Sequence, residues 1–160
     1  MPPEPDPAVG PATAPEDIAA VEGLFRLYLR FVEDFLGASL DFQGTEREFA
    51  TFPATYDALF LARLDGKAVG ACGVKPFDPG RCELKRLFVR PEGRGHALGR
   101  RLTEAAIRDA RGRGYTAMLL DTNPGLLHAN RIYEALGFRD IPAYYPNPLG
   151  EASRYMVLDL

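Results

Sequence analysis

The chain has 160 residues, 46% of them hydrophobic and 26% charged, with a formal net charge of −3. That size suits one domain with a single buried core, and no apolar run approaches the roughly 18 residues that a membrane-spanning helix needs. The opening Met1-Pro2-Pro3-Glu4 lacks the basic and apolar regions of a signal peptide, and two cysteines, Cys72 and Cys82, are too few for a disulfide framework or a four-ligand zinc site. A reducing, cytoplasmic setting with no metal and no membrane partner is the expectation.

The net charge conceals an asymmetry. Residues 81–113 hold ten Lys/Arg and four Asp/Glu, a balance of +6, so the remainder carries −9. Such a block reads either as a local anion site or as a solvated basic helix face. A nucleic-acid coat usually needs wider basic coverage, and the chain is acidic overall with no aromatic interleaving in its Arg-rich segment.

In chain order, residues 1–15 contain six prolines and few large apolar side chains. They read as a flexible tail, with the folded domain over 16–160. Ile18, Val21, Phe25, Tyr28, Val32 and Phe35 recur at spacings of three and four, which predicts an amphipathic helix from Asp17 to Leu36 closed by Gly37. Residues 38–56 predict a loop and a short helix. Three strand-like runs follow: Ala58 to Leu64, Ala68 to Lys75 after the Asp65-Gly66 turn, and Cys82 to Val89 after Pro79-Gly80. They predict an antiparallel meander. A helix over 98–113, a strand over 115–120, a helix over 128–136 and two short strands near 138–140 and 155–158 complete one mixed α/β domain of the α+β type.

The turn Arg90-Pro91-Glu92-Gly93-Arg94-Gly95-His96-Ala97-Leu98-Gly99-Arg100-Arg101 joins a strand to a helix. Its glycines, the helix N-terminus and the arginines together suit a pyrophosphate. It is neither a Walker loop nor a dinucleotide fingerprint, and taken alone it is equally a tight strand-to-helix turn.

Context adds specificity. Cys82-Glu83-Leu84-Lys85-Arg86-Leu87-Phe88-Val89-Arg90-Pro91, followed by Arg94-Gly95-His96-Ala97-Leu98-Gly99, resembles the acetyl-CoA-binding segment of the GNAT superfamily of N-acetyltransferases. Asn130-Arg131-Ile132-Tyr133-Glu134-Ala135-Leu136-Gly137-Phe138 resembles the second signature of that superfamily. The resemblance covers the chain from about residue 16. It implies a GNAT fold: a mostly antiparallel central sheet, splayed at the acyl-CoA site and flanked by helices. It also implies a strand before the first helix, where this chain holds its proline-rich stretch, so that strand is expected to be short or missing.

The resemblance further implies acetyl-CoA as co-substrate. The backbone from Gly95 through His96, Ala97, Leu98 and Gly99 to Arg100, with Arg94, would bind the pyrophosphate. Ala97 stands where the family usually has glycine and is expected to keep an ordinary helical φ. The backbone of Leu87, Phe88 and Val89 would follow the pantetheine arm, with the Leu87 N–H polarising the thioester carbonyl. Asn130 would touch that arm, and Tyr133 would sit by the thiol as proton donor. Asn123 is a ligand or a turn former.

Glu83 is the expected base, on the same strand face as Leu87 and roughly 13 Å along it, acting through water. Its alternative is a surface-face residue paired with Lys85 or Arg63. Phe42, Gln43, Tyr144 and Tyr145 are the expected acceptor-lining residues. The implied partner is a small-molecule or peptide amine, with a homodimer allowed and no nucleic acid. Two other readings are a non-catalytic acyl-CoA sensor and an Arg-rich nucleic-acid binder, the latter betrayed by steep salt dependence.

Overall fold

The computed structural model describes residues 3, 6–39, 44–148 and 153–160. Strand β1 (Pro7–Pro11) leads into helix α1 (Pro15–Leu36) and the short helix α2 (Thr45–Ala50). The meander β2 (Ala58–Leu64), β3 (Lys67–Pro76) and β4 (Arg81–Val89) comes next. Helix α3 (Leu98–Gly112), β5 (Ala117–Thr122), α4 (Leu127–Leu136), β6 (Arg139–Ile141) and β7 (Arg154–Asp159) finish the chain. Among the described residues the strands form one sheet of order β1-β2-β3-β4-β5-β7-β6. Only β4 and β5 run parallel; every other pair is antiparallel. This is the mixed architecture expected from the element order.

The proline-rich start is not all tail: residues 7–11 are an edge strand against β2. The prolines permit this by their spacing. Asp6 and Ala12 exchange hydrogen bonds with the β2 side, Ala12 N–H donating to Leu59 O and Asp65 N–H to Asp6 O. Even-numbered positions therefore face β2, and Pro7 and Pro11, which have no N–H, turn theirs to the open edge. The first strand is present and short, at five residues, and it is not missing.

Helix α1 starts two residues earlier than the spacing suggests, because Ala14 is extended and Pro15 takes the first helical position. Its buried residues are Val21, Leu24, Phe25, Leu29 and Val32. Phe35, placed by periodicity on the core face, is 49% exposed. The two sheet faces carry separate clusters. α3 and α4 cover one through Leu98, Leu102, Ala106, Tyr133 and Phe138. α1 covers the other through Val21, Leu24 and Phe25, against Leu59, Leu61 and Ala71.

One irregularity in β4 organises everything that follows. Ala71 pairs with Phe88 but Gly73 with Lys85, so β4 carries one extra residue, a bulge. Arg86 sits in it with φ +58. Cys82 and Leu84 belong to the α3-side cluster, and after the bulge Leu87 and Val89 pack against that same cluster while Phe88 packs on the α1 side. Alternation is broken, so Glu83 and Leu87 lie on opposite faces, correcting the expectation that they share one.

The Arg86 side chain is buried with Glu48 of α2. Its Nη2 lies 2.9 Å from Glu48 Oε2, both side chains being under 5% exposed. Tyr56 donates its hydroxyl to the other Glu48 oxygen at 2.5 Å. Removing one partner of such a pair strands a charge in the interior. Glu48→Ala is expected to cost about 3–5 kcal/mol in urea unfolding, and the double variant Glu48→Leu/Arg86→Met to recover most of that loss.

Candidate active site

β4 pairs with β5 only from Arg81 to Glu83. Past the bulge the two strands separate, while β5 stays with β7 through Thr122. The gap opens into a cleft of about 780 Å³. Leu87, Phe88 and Val89 line its β4 wall, and Ile132 and Tyr133 of α4 line the opposite one. Tyr28, Phe31 and Phe35 of α1 close a further side, which explains why Phe35 is not in the core.

The strand-to-helix turn forms one end. Arg94, Gly95, Ala97, Leu98, Gly99 and Arg100 all line the cleft; His96 does not. Gly95 has φ +88 and Ala97, capping α3, has φ +54. Ala97 is thus left-handed, not helical as expected, and an alanine there costs about 1 kcal/mol relative to glycine. The first backbone bond of α3 runs from Arg101 N–H to Ala97 O. The N–H groups of Leu98, Gly99 and Arg100, residues that line this end of the cleft, therefore lack an intrahelical partner. Among the described residues Arg100 is held only by an exposed pair with Glu104 at 3.2 Å, which yields readily to a stronger anion. Arg101 turns away to donate to Pro7 O.

Tyr133 is 6% exposed and packs on Phe138. Its hydroxyl makes no hydrogen bond among the described residues, and burial holds its pKa well above the ordinary tyrosine value, so it stays protonated. Asn130 is buried, and its amide donates to Asn123 O at 2.9 Å and Pro124 O at 3.3 Å. It braces the loop whose Gly125 and Leu126 line the cleft, and its Oδ1 accepts nothing. Asn123 accepts the Gly125 N–H on its own Oδ1, the geometry of a turn former.

On the other side of the strand gap lies a cluster that the spacing did not reveal. Lys85 Nζ stands 3.8 Å from Glu83 and 3.6 Å from Asp121, all three side chains being about 85% buried. Tyr144 donates to Glu83 at 2.8 Å and Tyr145 to Asp121 at 2.7 Å. Burial, reinforced by those carboxylates, raises both tyrosine pKa values. Lys85 and Asp121 border a small cavity of about 60 Å³ that shares Tyr28, Thr122 and Leu126 with the main cleft. Arg63, the other partner considered for Glu83, pairs with Asp17 instead. Phe42 and Gln43 lie outside the described residues. Asp121 carried one usable signal: it ends a strand running parallel to its neighbour, and ligands gather at the C-terminal ends of parallel strands.

Neither thiol suits nucleophilic work. Cys72 and Cys82 are fully buried, and burial raises both, Cys82 to about 12. Among the described residues no group of His, Cys, Asp or Glu is placed to hold a metal, and no helix is long and apolar enough to cross a membrane.

Residues 23–138 match the profile of the acetyltransferase (GNAT) family. An uncharacterized N-acetyltransferase of Schizosaccharomyces pombe is 38% identical over 91% of this chain and 90% of its own length. An acetyltransferase from Streptococcus agalactiae has the same fold, with a TM-score of 0.74 over 96% of this chain and 98% of that one at 22% identity. A GNAT family acetyltransferase from Elizabethkingia anophelis, solved with acetyl-CoA bound, superposes with a TM-score of 0.63 at 17% identity, covering 96% of this chain and 98% of that one. The chain belongs to the GNAT acetyltransferase family and is an acyltransferase.

Two outcomes follow from this geometry. Ala97→Gly is expected to raise stability by up to about 1 kcal/mol, read from the urea midpoint. Alkali is expected to act through tyrosine. Six of the seven tyrosines, Tyr28, Tyr56, Tyr115, Tyr133, Tyr144 and Tyr145, are raised, with Tyr28 and Tyr115 at about 12. A raised folded-state value stabilises fully below the unfolded pKa near 10 and is lost as pH climbs through the folded one. Stability should hold to about pH 10 and fall toward 12, with tyrosinate absorbance rising together with loss of helical circular dichroism.

Proposed function

We propose that the chain transfers an acetyl group from acetyl-CoA to a primary amine of a small molecule or peptide, by direct attack with both substrates bound. The observation that carries this is the strand gap at the Arg86 bulge, which has Tyr133 on one side and, on the other, Lys85 and Asp121 with Glu83 next to that lysine. The residues suit the co-substrate. Unpaired N–H groups at the α3 start, with Arg94 and Arg100, fit a pyrophosphate, and the orphaned Asn130 Oδ1 is an acceptor left for a pantetheine amide.

Acetyl-CoA supplies an activated acetyl thioester. The Leu87 backbone N–H stabilises negative charge growing on the carbonyl oxygen. Glu83 or Asp121 draws in the ammonium and accepts its proton, directly or through water; Asp121 borders the small cavity beside the gap, and Glu83 stands next to Lys85, which borders it too. Tyr133, held protonated, donates a hydrogen bond to the departing sulfur. Aliphatic and aromatic walls keep the gap dry enough to strengthen these interactions.

The test is free-thiol release from acetyl-CoA across amine panels, with calorimetry for acetyl-CoA binding. Tyr133→Phe is expected to lower kcat about a hundredfold while leaving acetyl-CoA affinity nearly unchanged. No calorimetric response to acetyl-CoA would overturn the reading, and binding without any turnover would favour the acyl-CoA sensor.

A further inference from the structure

Lys85 is the charge that a simple amine site does not explain. Its side chain is 14% exposed at the edge of the small cavity, beside the gap that receives the acceptor. It has three donors, and its two carboxylate neighbours stand at 3.8 and 3.6 Å, beyond hydrogen-bond distance. Each of those carboxylates already accepts a tyrosine hydroxyl. Among the described residues, then, a largely desolvated cation is balanced in charge yet makes no hydrogen bond, an arrangement that favours an incoming anionic oxygen.

We infer that the acceptor is a free α-amino acid, bound with its carboxylate on Lys85 and its amino group toward Glu83 and Asp121. The inference rests on the transferase reading above. Charge supports it. Glu48 cancels Arg86, and Glu83 and Asp121 balance Lys85 and Lys75, the residue opposite Glu83 on β3, so the cluster is close to neutral and suits a ligand that is itself neutral overall. A polyamine would bring several cations up against Lys85, and a plain monoamine would leave that cation unsatisfied. A zwitterion meets both signs. Val32, Leu36 and Leu84 offer the same cavity an aliphatic wall for an apolar side chain. In the reaction the amino nitrogen bonds to the thioester carbonyl carbon and the carbon–sulfur bond breaks. Of the two protons the ammonium loses, one ends on the sulfur and one passes through a carboxylate to solvent.

The experiment measures kcat/KM by thiol release for matched sets: leucine, leucinamide and isopentylamine, and likewise phenylalanine, phenylalaninamide and phenethylamine. Wild type is expected to favour the amino acid over its amide by at least about tenfold, the worth of one charge-assisted hydrogen bond. Lys85→Met is expected to erase that preference, chiefly through KM of the amino acid, with acetyl-CoA affinity near wild type and a lower melting temperature, because Glu83 and Asp121 lose their cation. Lys85→Arg is expected to keep it. Equal use of amino acid and amide by wild type overturns the inference, as does an equal loss on both in Lys85→Met. Those results leave the transferase intact, whereas no thiol release with any amine, peptides included, overturns both.

Discussion

Two ionised groups, Glu48 and Arg86, are buried together where α2 meets the fourth strand, and the geometry of the site depends on that pairing. Neither charge is tolerable alone in the interior, so the pair ties the helix to one residue of the strand. That residue is in a left-handed conformation, which a side chain other than glycine adopts only when its surroundings hold it there. The bulge that results parts β4 from β5 and lets a cleft form between strands that would otherwise bond along their length. It also reverses side-chain alternation, sending Leu87 and Val89 to the α3 side and leaving Glu83 and Lys85 on the other.

The charge asymmetry takes on spatial meaning in this frame. Arginines gather at the α3 end of the cleft, where Arg94 and Arg100 reach it. Carboxylates gather beyond the strand gap, where Glu83 and Asp121 flank one lysine and are capped by two tyrosines. Opposite ends therefore suit opposite ligand charges. Part of the basic block is only a solvated face: Arg108 and Arg111 are exposed and Arg113 pairs with Asp109, while the half-buried Arg101 holds the first strand. The two readings of the basic block thus fall on different residues, with Arg94 and Arg100 lining the cleft and Arg113 on the exposed face.

Much of the fold was legible because local pattern and tertiary context agree. Every predicted helix and strand over 58–160 is present with ends shifted by two residues or fewer. The exceptions have identifiable causes. Pro7–Pro11 forms a strand because an edge position needs only every second N–H. Phe35 leaves the core face because it leans over Gly125 at the cleft. The phosphate turn and Tyr133 were legible as motifs, whereas Lys85 and Asp121 were not. One was weighed only as a partner for Glu83 and the other looked like the end of an apolar run.

The order of elements and the membership of the glycine turn follow from sequence alone, because they rest on periodicity, turn chemistry and residues close together in the chain, and Tyr133 is singled out there by its resemblance to a family signature. Tertiary structure decided which face Glu83 occupies, that Ala97 is left-handed, and that residues 83, 85, 121, 144 and 145 form one cluster. The physical reason is common to all three. A single inserted residue resets strand parity, and contacts between groups tens of residues apart are set by how the sheet closes, which no local pattern records.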